Sequence, residues 1–176
     1  MNISVFGGSR PTPDSPAYEE ARALGALLAQ RGHAVLTGGY MGVMEAVSRG
    51  ASEAGGRVIG VTCGDIETWR PTKANGWVQE ERRFQTLPER IQALIEGCDA
   101  AMALPGGAGT LTEITSMWNL MIVEALPRRP LILIGQGWRS TFDRFFDALG
   151  SYMSASQREL LSFVNDANEA VKNLED

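Results

Sequence analysis

Residues 100–113 read Ala-Ala-Met-Ala-Leu-Pro-Gly-Gly-Ala-Gly-Thr-Leu-Thr-Glu. The apolar run at 100–104 has the length of a buried strand, and the amphipathic segment at 111–124 has the length of a helix. The three glycines between them therefore fall where a strand ends and a helix begins. Glycine tolerates positive φ and lets a ligand approach the backbone closely, so this turn is suited to binding.

The start of the predicted helix, near Thr110, has the properties of an anion site. Its first N–H groups lack partners within the helix and carry partial positive charge, and phosphate is the ligand that such a turn accepts most readily. Thr110 adds a hydroxyl at the rim, and Glu113 lies one helical turn further along the same face. A carboxylate beside an anion site favours chemistry next to the phosphate over simple phosphate binding. The alternative is a tight turn without a ligand, in which Glu113 is a solvated first-turn acid.

Strand-like and helix-like segments alternate along the whole chain. Strands are predicted at residues 3–6, 34–37, 58–62, 100–104 and 130–134. Helices are predicted at about 16–32, 42–55, 87–97, 111–124 and 139–149, with one or two more in the C-terminal part. The span 63–86 is predicted to be irregular and to form a mobile flap. Apolar strands alternating with helices are typical of a parallel sheet covered by helices on both faces, so residues 1–176 are predicted to form a single doubly wound, Rossmann-like α/β domain.

Three turns that contain glycine are expected to meet at the carboxyl edge of this sheet, where ligands bind in doubly wound folds. They are Gly7-Gly8-Ser9, the segment 38–42 and the turn at 106–109. Glycines are common at helix starts in any α/β fold, so the first two turns alone are equally consistent with helix packing. The three together favour a binding site, in which Ser9 and Gly39 are candidate ligand contacts.

The composition excludes several classes of partner. The chain has 176 residues and a net charge of −5, which is unfavourable for nucleic-acid binding but allows a small nucleotide in a local basic pocket. Cys63 and Cys98 lack metal-ligand spacing and are expected to be buried free thiols, and a single histidine makes a transition-metal site improbable. We find no signal peptide and no apolar stretch of membrane-spanning length, and therefore expect a cytoplasmic protein with no membrane partner.

The glycine turns do not fit three familiar patterns of phosphate chemistry. A P-loop needs Gly-x-x-x-x-Gly-Lys followed by Ser or Thr, and no glycine turn here is followed by lysine. The dinucleotide pattern Gly-x-Gly-x-x-Gly does not follow the first predicted strand, where the turn reads Gly-Gly-Ser-Arg. Lys73 and Lys172 are the two lysines, and neither lies in these turns, which argues against a pyridoxal-phosphate Schiff base.

Arg90 is the cation that we single out, because its helix directly precedes the strand at 100–104 and its side chain can point along the sheet edge. Spacing alone favours a different interpretation, in which Arg90 is a solvated helix charge paired with Glu89 or Glu96.

The segment 105–113 fits the pattern PGGxGTxxE and resembles the Lonely-guy (LOG) family, whose members were often labelled lysine decarboxylases. The resemblance extends from the first predicted strand through the fifth. Gly7-Gly8-Ser9 resembles the family's first glycine-serine turn, and the segment 37–44 is similar to its GGG-x-x-GLM segment. Arg90 falls where the family's catalytic arginine stands.

This resemblance implies a phosphoribohydrolase that cleaves nucleoside 5′-monophosphates, of the cytokinin riboside or AMP type, to the free base and ribose 5-phosphate. It implies that Arg90 and Glu113 form the catalytic pair. The residues that it implies for phosphate and substrate binding are Ser9, Gly39, Gly106, Gly107, Ala108, Gly109, Thr110, Leu111 and Thr112. It implies no metal or organic cofactor, and a homodimer or higher homo-oligomer with the active site near the subunit interface.

The division of roles and one alternative function are left open. Cleavage builds positive charge on the ribose, which Glu113 could stabilise, but this residue could equally hold the ribose hydroxyls or orient the attacking water. Arg90 could pair with the phosphate or assist the leaving base, and we favour orientation of the substrate and of Glu113. The alternative is a non-catalytic carrier of a nucleotide or of a phosphorylated pterin such as the molybdenum cofactor. Ile91 and Ser116, which depart from the family's usual lysine and acid, favour that alternative.

Overall fold

The computed structural model describes residues 1–174 and contains a seven-stranded, fully parallel sheet in the order β4-β3-β2-β1-β5-β6-β7. The strands are β1 (Asn2–Phe6), β2 (Ala34–Thr37), β3 (Val58–Cys63), β4 (Glu80–Phe84), β5 (Ala100–Ala103), β6 (Leu131–Ile134) and β7 (Ser162–Val164). The helices are α1 (Pro16–Gln30), α2 (Val43–Glu53), α3 (Gly64–Trp69), α4 (Leu87–Glu96), α5 (Ala108–Ile122), α6 (Gln136–Leu149), α7 (Ala155–Arg158) and α8 (Ala167–Lys172), with a 3₁₀ turn at Gly150–Tyr152. The predicted single, doubly wound Rossmann-like α/β domain is confirmed.

The two faces of the sheet are covered by different sets of helices. On one face, α1, α2 and α8 pack a cluster that includes Tyr18, Leu24, Leu28, Val47 and Val171. On the other face, α4, α5 and α6 pack a cluster that includes Leu94, Ile114, Met117, Trp118 and Phe142. Because both faces are covered, the central strands β5 and β6 are buried at every residue. Their sequences therefore do not need to alternate between apolar and polar residues. Cys63 and Cys98 are buried free thiols, as predicted.

The prediction that the span 63–86 is irregular is wrong, since this span contains α3 and β4. β4 reads Glu-Glu-Arg-Arg-Phe and lies at the edge of the sheet. Its charges are paired: Arg82 Nε donates to Glu80 Oε1 at 2.7 Å, and Arg83 Nη2 donates to Glu67 Oε2 at 2.6 Å. An edge strand does not need a continuous apolar run, and this one therefore lacks the pattern that identifies the central strands.

β7 is the second strand that the sequence does not predict, because three residues are too few to show a period. It pairs with β6 and is the edge strand of the sheet on the side opposite β4. Within residues 1–174, no helix combines the length and the apolar character needed to cross a membrane.

The order of the strands creates a topological switch point between β1 and β5. From β1 the chain moves outward through β2, β3 and β4, and then returns to place β5 on the other side of β1. The turns at this point are bonded together, since Gly8 N donates to Pro105 O at 3.1 Å and Val43 N donates to Gly8 O at 2.9 Å. The crevice beyond the carboxyl ends of β1 and β5 is where ligands bind in such sheets.

Candidate active site

A cleft of about 790 Å³ opens at the switch point. Its walls come from the turns after β1 and β5, the start of α5, one side chain of α4 and the end of α3. The sequence-predicted site residues that line it are Ser9, Arg90, Gly106, Gly107, Ala108, Gly109, Thr110 and Glu113.

Three other predicted contact residues are not part of the cleft lining. Leu111 and Thr112 lie on the exposed side of α5, where Leu111 N donates to Gly107 O at 3.0 Å and Thr112 Oγ1 donates to Ala108 O at 2.9 Å. Gly39 is buried with a φ of 77°, and its N–H donates to Thr37 Oγ1 at 3.2 Å. The positive φ of Gly39 shapes the turn after β2. Backbone geometry therefore accounts for a glycine at this position, and no ligand contact is needed to explain it.

The start of α5 is open to the cleft. The helix begins at Ala108, two residues before the predicted start, and its N-cap Gly107 has no side chain to accept from the first amides. No acidic residue occupies the first turn, and residues 106–109 are exposed. The amides of residues 108–110 point out of the helix end by its geometry, so an anion can accept from them.

Thr110 is buried beneath this turn, which corrects the prediction that its hydroxyl lies at the rim. A Cβ added to Gly106 would lie 2.1 Å from Thr110 Oγ1 and 2.9 Å from Gly8 N. Glycine at position 106 is therefore required by the close packing of the two turns.

Arg90 is a buried side chain, so the interpretation as a solvated helix charge is wrong. Its Nε donates to Val61 O at 2.7 Å, and its Nη2 donates to Gly38 O at 3.0 Å. Its guanidinium also lies over the ring of Tyr40, 5.6 Å from the centroid. These contacts hold the guanidinium at the carboxyl ends of β2 and β3. Glu89 is instead used in a capping box, where it accepts from Thr86 N at 2.9 Å.

Glu113 reaches the same point from α5. Its Oε1 lies 3.6 Å from Nη1 of Arg90, and the residue is only 8% exposed. Burial raises the pKa of Glu113 from 4.5 to about 7, and the positive charge of Arg90 opposes part of that increase. Near neutral pH the carboxyl group is therefore present in both protonation states. Such a shifted acid in a cleft is typical of a functional site.

Several residues of the cleft are not predicted as site residues from the sequence. They include Arg10, Met44, Ile66, Trp69 and Arg70. The last three follow β3, whose carboxyl end meets the same edge of the sheet as the glycine turns. That position in the fold is the signal that could have identified them.

The charge of the cleft favours an anion. Three arginines, Arg10, Arg70 and Arg90, line it together with one carboxylate, that of Glu113. Among residues 1–174, no group of three or more His, Cys, Asp or Glu side chains is close enough together to hold a metal ion.

Comparisons with known proteins identify the family of the chain and the relatives of its fold. Residues 1–123 match the SLOG cluster4 family. The chain is 31% identical over 180 aligned residues to the cytokinin riboside 5′-monophosphate phosphoribohydrolase LOG3 of Arabidopsis thaliana, with 99% of this chain and 81% of that protein covered. The fold is similar to that of the molybdenum cofactor carrier protein of Chlamydomonas reinhardtii, with a TM-score of 0.73, 25% identity and coverage of 99% and 95%. It is also similar to that of a molybdenum cofactor binding protein of Rippkaea orientalis, with a TM-score of 0.77, 23% identity and coverage of 99% and 94%.

Proposed function

The chain belongs to the SLOG cluster4 family and to the Lonely-guy (LOG) proteins, and we propose that it is a phosphoribohydrolase. It cleaves the N-glycosidic bond of a nucleoside 5′-monophosphate and releases the free base and ribose 5-phosphate. The observation that supports this most directly is the buried pair of Arg90 and Glu113, in the same cleft as the open start of α5.

The phosphate of the substrate binds at the start of α5. The amides of residues 108–110 donate to its oxygens, and Ser9, which lines the same cleft, adds a hydroxyl. Binding the phosphate at a fixed place converts its binding energy into positioning of the sugar, so that C1′ of the ribose comes to the reactive pair.

Glu113 then stabilises the charge that develops as the bond breaks. The base departs with the electron pair of the C1′–N bond and takes up a proton, and water adds its hydroxyl to C1′. The positive charge on the ribose exists only on the way to the products, so the Glu113 carboxylate stabilises the transition state more than the neutral ground state. Arg90, whose Nη1 lies 3.6 Å from Oε1 of Glu113, orients that carboxylate.

The test is base release from a panel of nucleotides. Purified protein is incubated with AMP, GMP, CMP, UMP and a cytokinin riboside 5′-monophosphate, and the free bases are separated by chromatography. We expect base release from at least one of them, and Glu113→Gln should lower the turnover about 100-fold or more while retaining nucleotide binding. Glu96→Gln, an exposed acid on α4 outside the cleft, is the matched control. No base release from any nucleotide, or an unchanged rate with Glu113→Gln, would disprove the proposal.

A phosphorylated-pterin carrier is the second candidate, favoured by the similarity of the fold to the molybdenum cofactor carrier protein. The start of α5 would hold the pterin's phosphate in the same way. Tight binding of molybdenum cofactor without base release in the nucleotide panel would favour the carrier.

We further propose that the protein acts as a homo-oligomer, as the resemblance implies. Light scattering at several protein concentrations measures the oligomeric state, and a monomer at all of them would contradict this.

A further inference from the structure

The end of α3 provides the cleft with an aromatic surface that the Arg90–Glu113 chemistry does not use. We propose that Ile66, Trp69 and Arg70 form a base subsite, in which the nucleotide base stacks on the ring of Trp69. This inference rests on the proposed function, because it names the part of the cleft that receives the substrate's base.

Trp69 is much more exposed than the two tryptophans of the core. It is 77% exposed, whereas Trp118 and Trp138 are 6% and 7% exposed in the core. Its ring lines the cleft, so a planar heteroaromatic ligand can cover it. Stacking of a base on an aromatic side chain is favourable for any base, since each base has a π face.

The helix that presents Trp69 is anchored to the rest of the site. Glu67 accepts from Arg83 at 2.6 Å and from the Tyr40 hydroxyl at 3.4 Å. Asp65 Oδ2 accepts from Leu87 N at 2.9 Å, which ties α3 to the first turn of α4. Tyr40 also packs on Arg90, so α3 has a defined position relative to the reactive pair. A surface held in place on its scaffold loses little freedom when a ligand binds.

Arg70 adds a polar group to this surface. Its guanidinium lies 5.3 Å from the centroid of the Trp69 ring. Its Nε is buried, and within residues 1–174 it has no hydrogen-bond partner. Because Arg70 also lines the cleft, its guanidinium is placed to donate to an acceptor on the ligand, such as a ring nitrogen or a carbonyl oxygen of the base.

The strand order places this surface at the correct end of the cleft. The turn that binds phosphate follows β5, whereas α3 follows β3, and β1 and β2 lie between these strands. Three strand spacings correspond to roughly 14 Å, comparable with the length of an extended nucleotide. Arg90 is bonded to carbonyl groups of β3 and of the turn after β2, and it contacts Glu113 on the helix that follows β5. The reactive pair therefore bridges the two ends, where the C1′–N bond would lie.

The test compares AMP, which carries a base, with ribose 5-phosphate, which lacks one. Calorimetry measures the dissociation constants of AMP and of ribose 5-phosphate for Glu113→Gln and for the same protein with Trp69→Ala, so that turnover does not interfere. We expect Trp69→Ala to weaken AMP binding about 10-fold or more and to leave ribose 5-phosphate within about 2-fold. Tyr152→Ala removes an aromatic ring that is 85% exposed and lies outside the cleft, and it should change neither constant.

Tryptophan fluorescence gives a second readout that does not depend on the alanine variant. AMP should quench the tryptophan emission, and Trp69→Phe should abolish that quenching. The ring of Trp77 contacts Arg49 outside the cleft, so Trp77→Phe should retain the quenching.

The possible failures of the subsite and of the enzyme are distinguishable. Equal weakening of both ligands, or of neither, would disprove the base subsite even if the nucleotide panel shows base release. A change of oligomeric state with unchanged AMP binding would assign Trp69 to a contact between copies of the chain and would also disprove it. Conversely, AMP binding that depends on Trp69 without any base release would support the subsite and contradict the enzyme.

Discussion

Gly38 and Arg90 are in such close contact that a Cβ at residue 38 would lie 1.8 Å from Nη2 of Arg90. The same nitrogen donates to the carbonyl of Gly38 at 3.0 Å. The guanidinium therefore lies directly against the backbone of the turn after β2, and any side chain at this position would displace it. Gly38 determines the position of Arg90 and, through it, the 3.6 Å contact with Glu113.

Gly38→Ala is expected to lower kcat/KM for base release about 100-fold, because a displacement of catalytic groups by about 1 Å can cost this much. The measurement is steady-state kinetics on the nucleotide that the panel identifies, with circular dichroism to show that the variant is folded. Gly137→Ala is the control, since a Cβ there would meet no atom within 4 Å. A folded Gly38→Ala protein with the parental kcat/KM would show that the position of Arg90 does not matter.

Gly106→Ala is expected to weaken ribose 5-phosphate binding by about 10-fold or more, because charge-assisted hydrogen bonds are lost when the turn moves. The added Cβ would collide with Thr110 Oγ1 at 2.1 Å and approach Gly8 N at 2.9 Å, so the turns after β1 and β5 must both shift. Calorimetry with ribose 5-phosphate measures the effect. Gly76→Ala, where a Cβ would meet no atom within 4 Å, should bind as the parent does. Parental affinity in Gly106→Ala would place the phosphate elsewhere.

The pH dependence of kcat/KM is expected to report the titration of Glu113. The carboxylate is the form that stabilises a cationic ribose, and the pKa of Glu113 is raised to about 7 by burial. Therefore kcat/KM should rise as pH increases through about 7 and become constant above it. Glu113→Gln should lose this inflection.

The titration of the substrate must be measured separately in that experiment, because the second ionisation of a phosphate monoester has a pKa of about 6. Phosphorus NMR of the free nucleotide separates its titration from that of the enzyme. A fall of kcat/KM through pH 7 would mean that the protonated acid donates to the leaving base, which contradicts the carboxylate role.

The free energy of unfolding should also depend on this residue. The folded protein holds the Glu113 proton more tightly than the unfolded chain, since the pKa is about 7 when folded against 4.5 as the reference value. Between these values the folded state binds more protons, so stability decreases as pH rises. At about 1.36 kcal/mol per pKa unit, the loss is about 3 kcal/mol by pH 8. Urea unfolding of the parent and of Glu113→Gln at pH 5 and pH 8 measures it. Between pH 5 and pH 8 the difference between the two proteins should change by about 2.5 kcal/mol, because part of the loss has already occurred at pH 5. Parallel curves would refute the raised pKa.

The glycine turn and the central strands could be predicted from the sequence because each is a local pattern. The strand at residues 100–103 is a short apolar run, and the cluster of glycines after it marks a turn, so both are visible without the rest of the chain. The charged strand β4 and the six-residue helix α3 could not be predicted in the same way. The charges of β4 are paired with one another and with neighbouring segments, and α3 is too short to show a helical period.

The same distinction between local patterns and tertiary contacts applies to the residues of the candidate site. Glu113 belongs to the motif, and its place one turn into α5 follows from helix geometry. Spacing alone suggests that Arg90 is solvated, whereas carbonyl groups of β3 and of the turn after β2 hold it in the interior. Its place on the helix before β5 and the resemblance to the family both single out Arg90, but neither indicates that its side chain is buried.

The amino-acid sequence alone is enough to predict the five apolar strands, their alternation with helices, the doubly wound fold and the position of the glycine turn, because periodicity and backbone sterics act over a few neighbouring residues. Only the tertiary structure decided which side chains meet at the cleft: the Arg90–Glu113 pair, the raised pKa of Glu113 and the exposed ring of Trp69 beside them. The reason is physical. Burial, charge pairing and exposure depend on contacts between segments far apart in the chain, which no local pattern encodes.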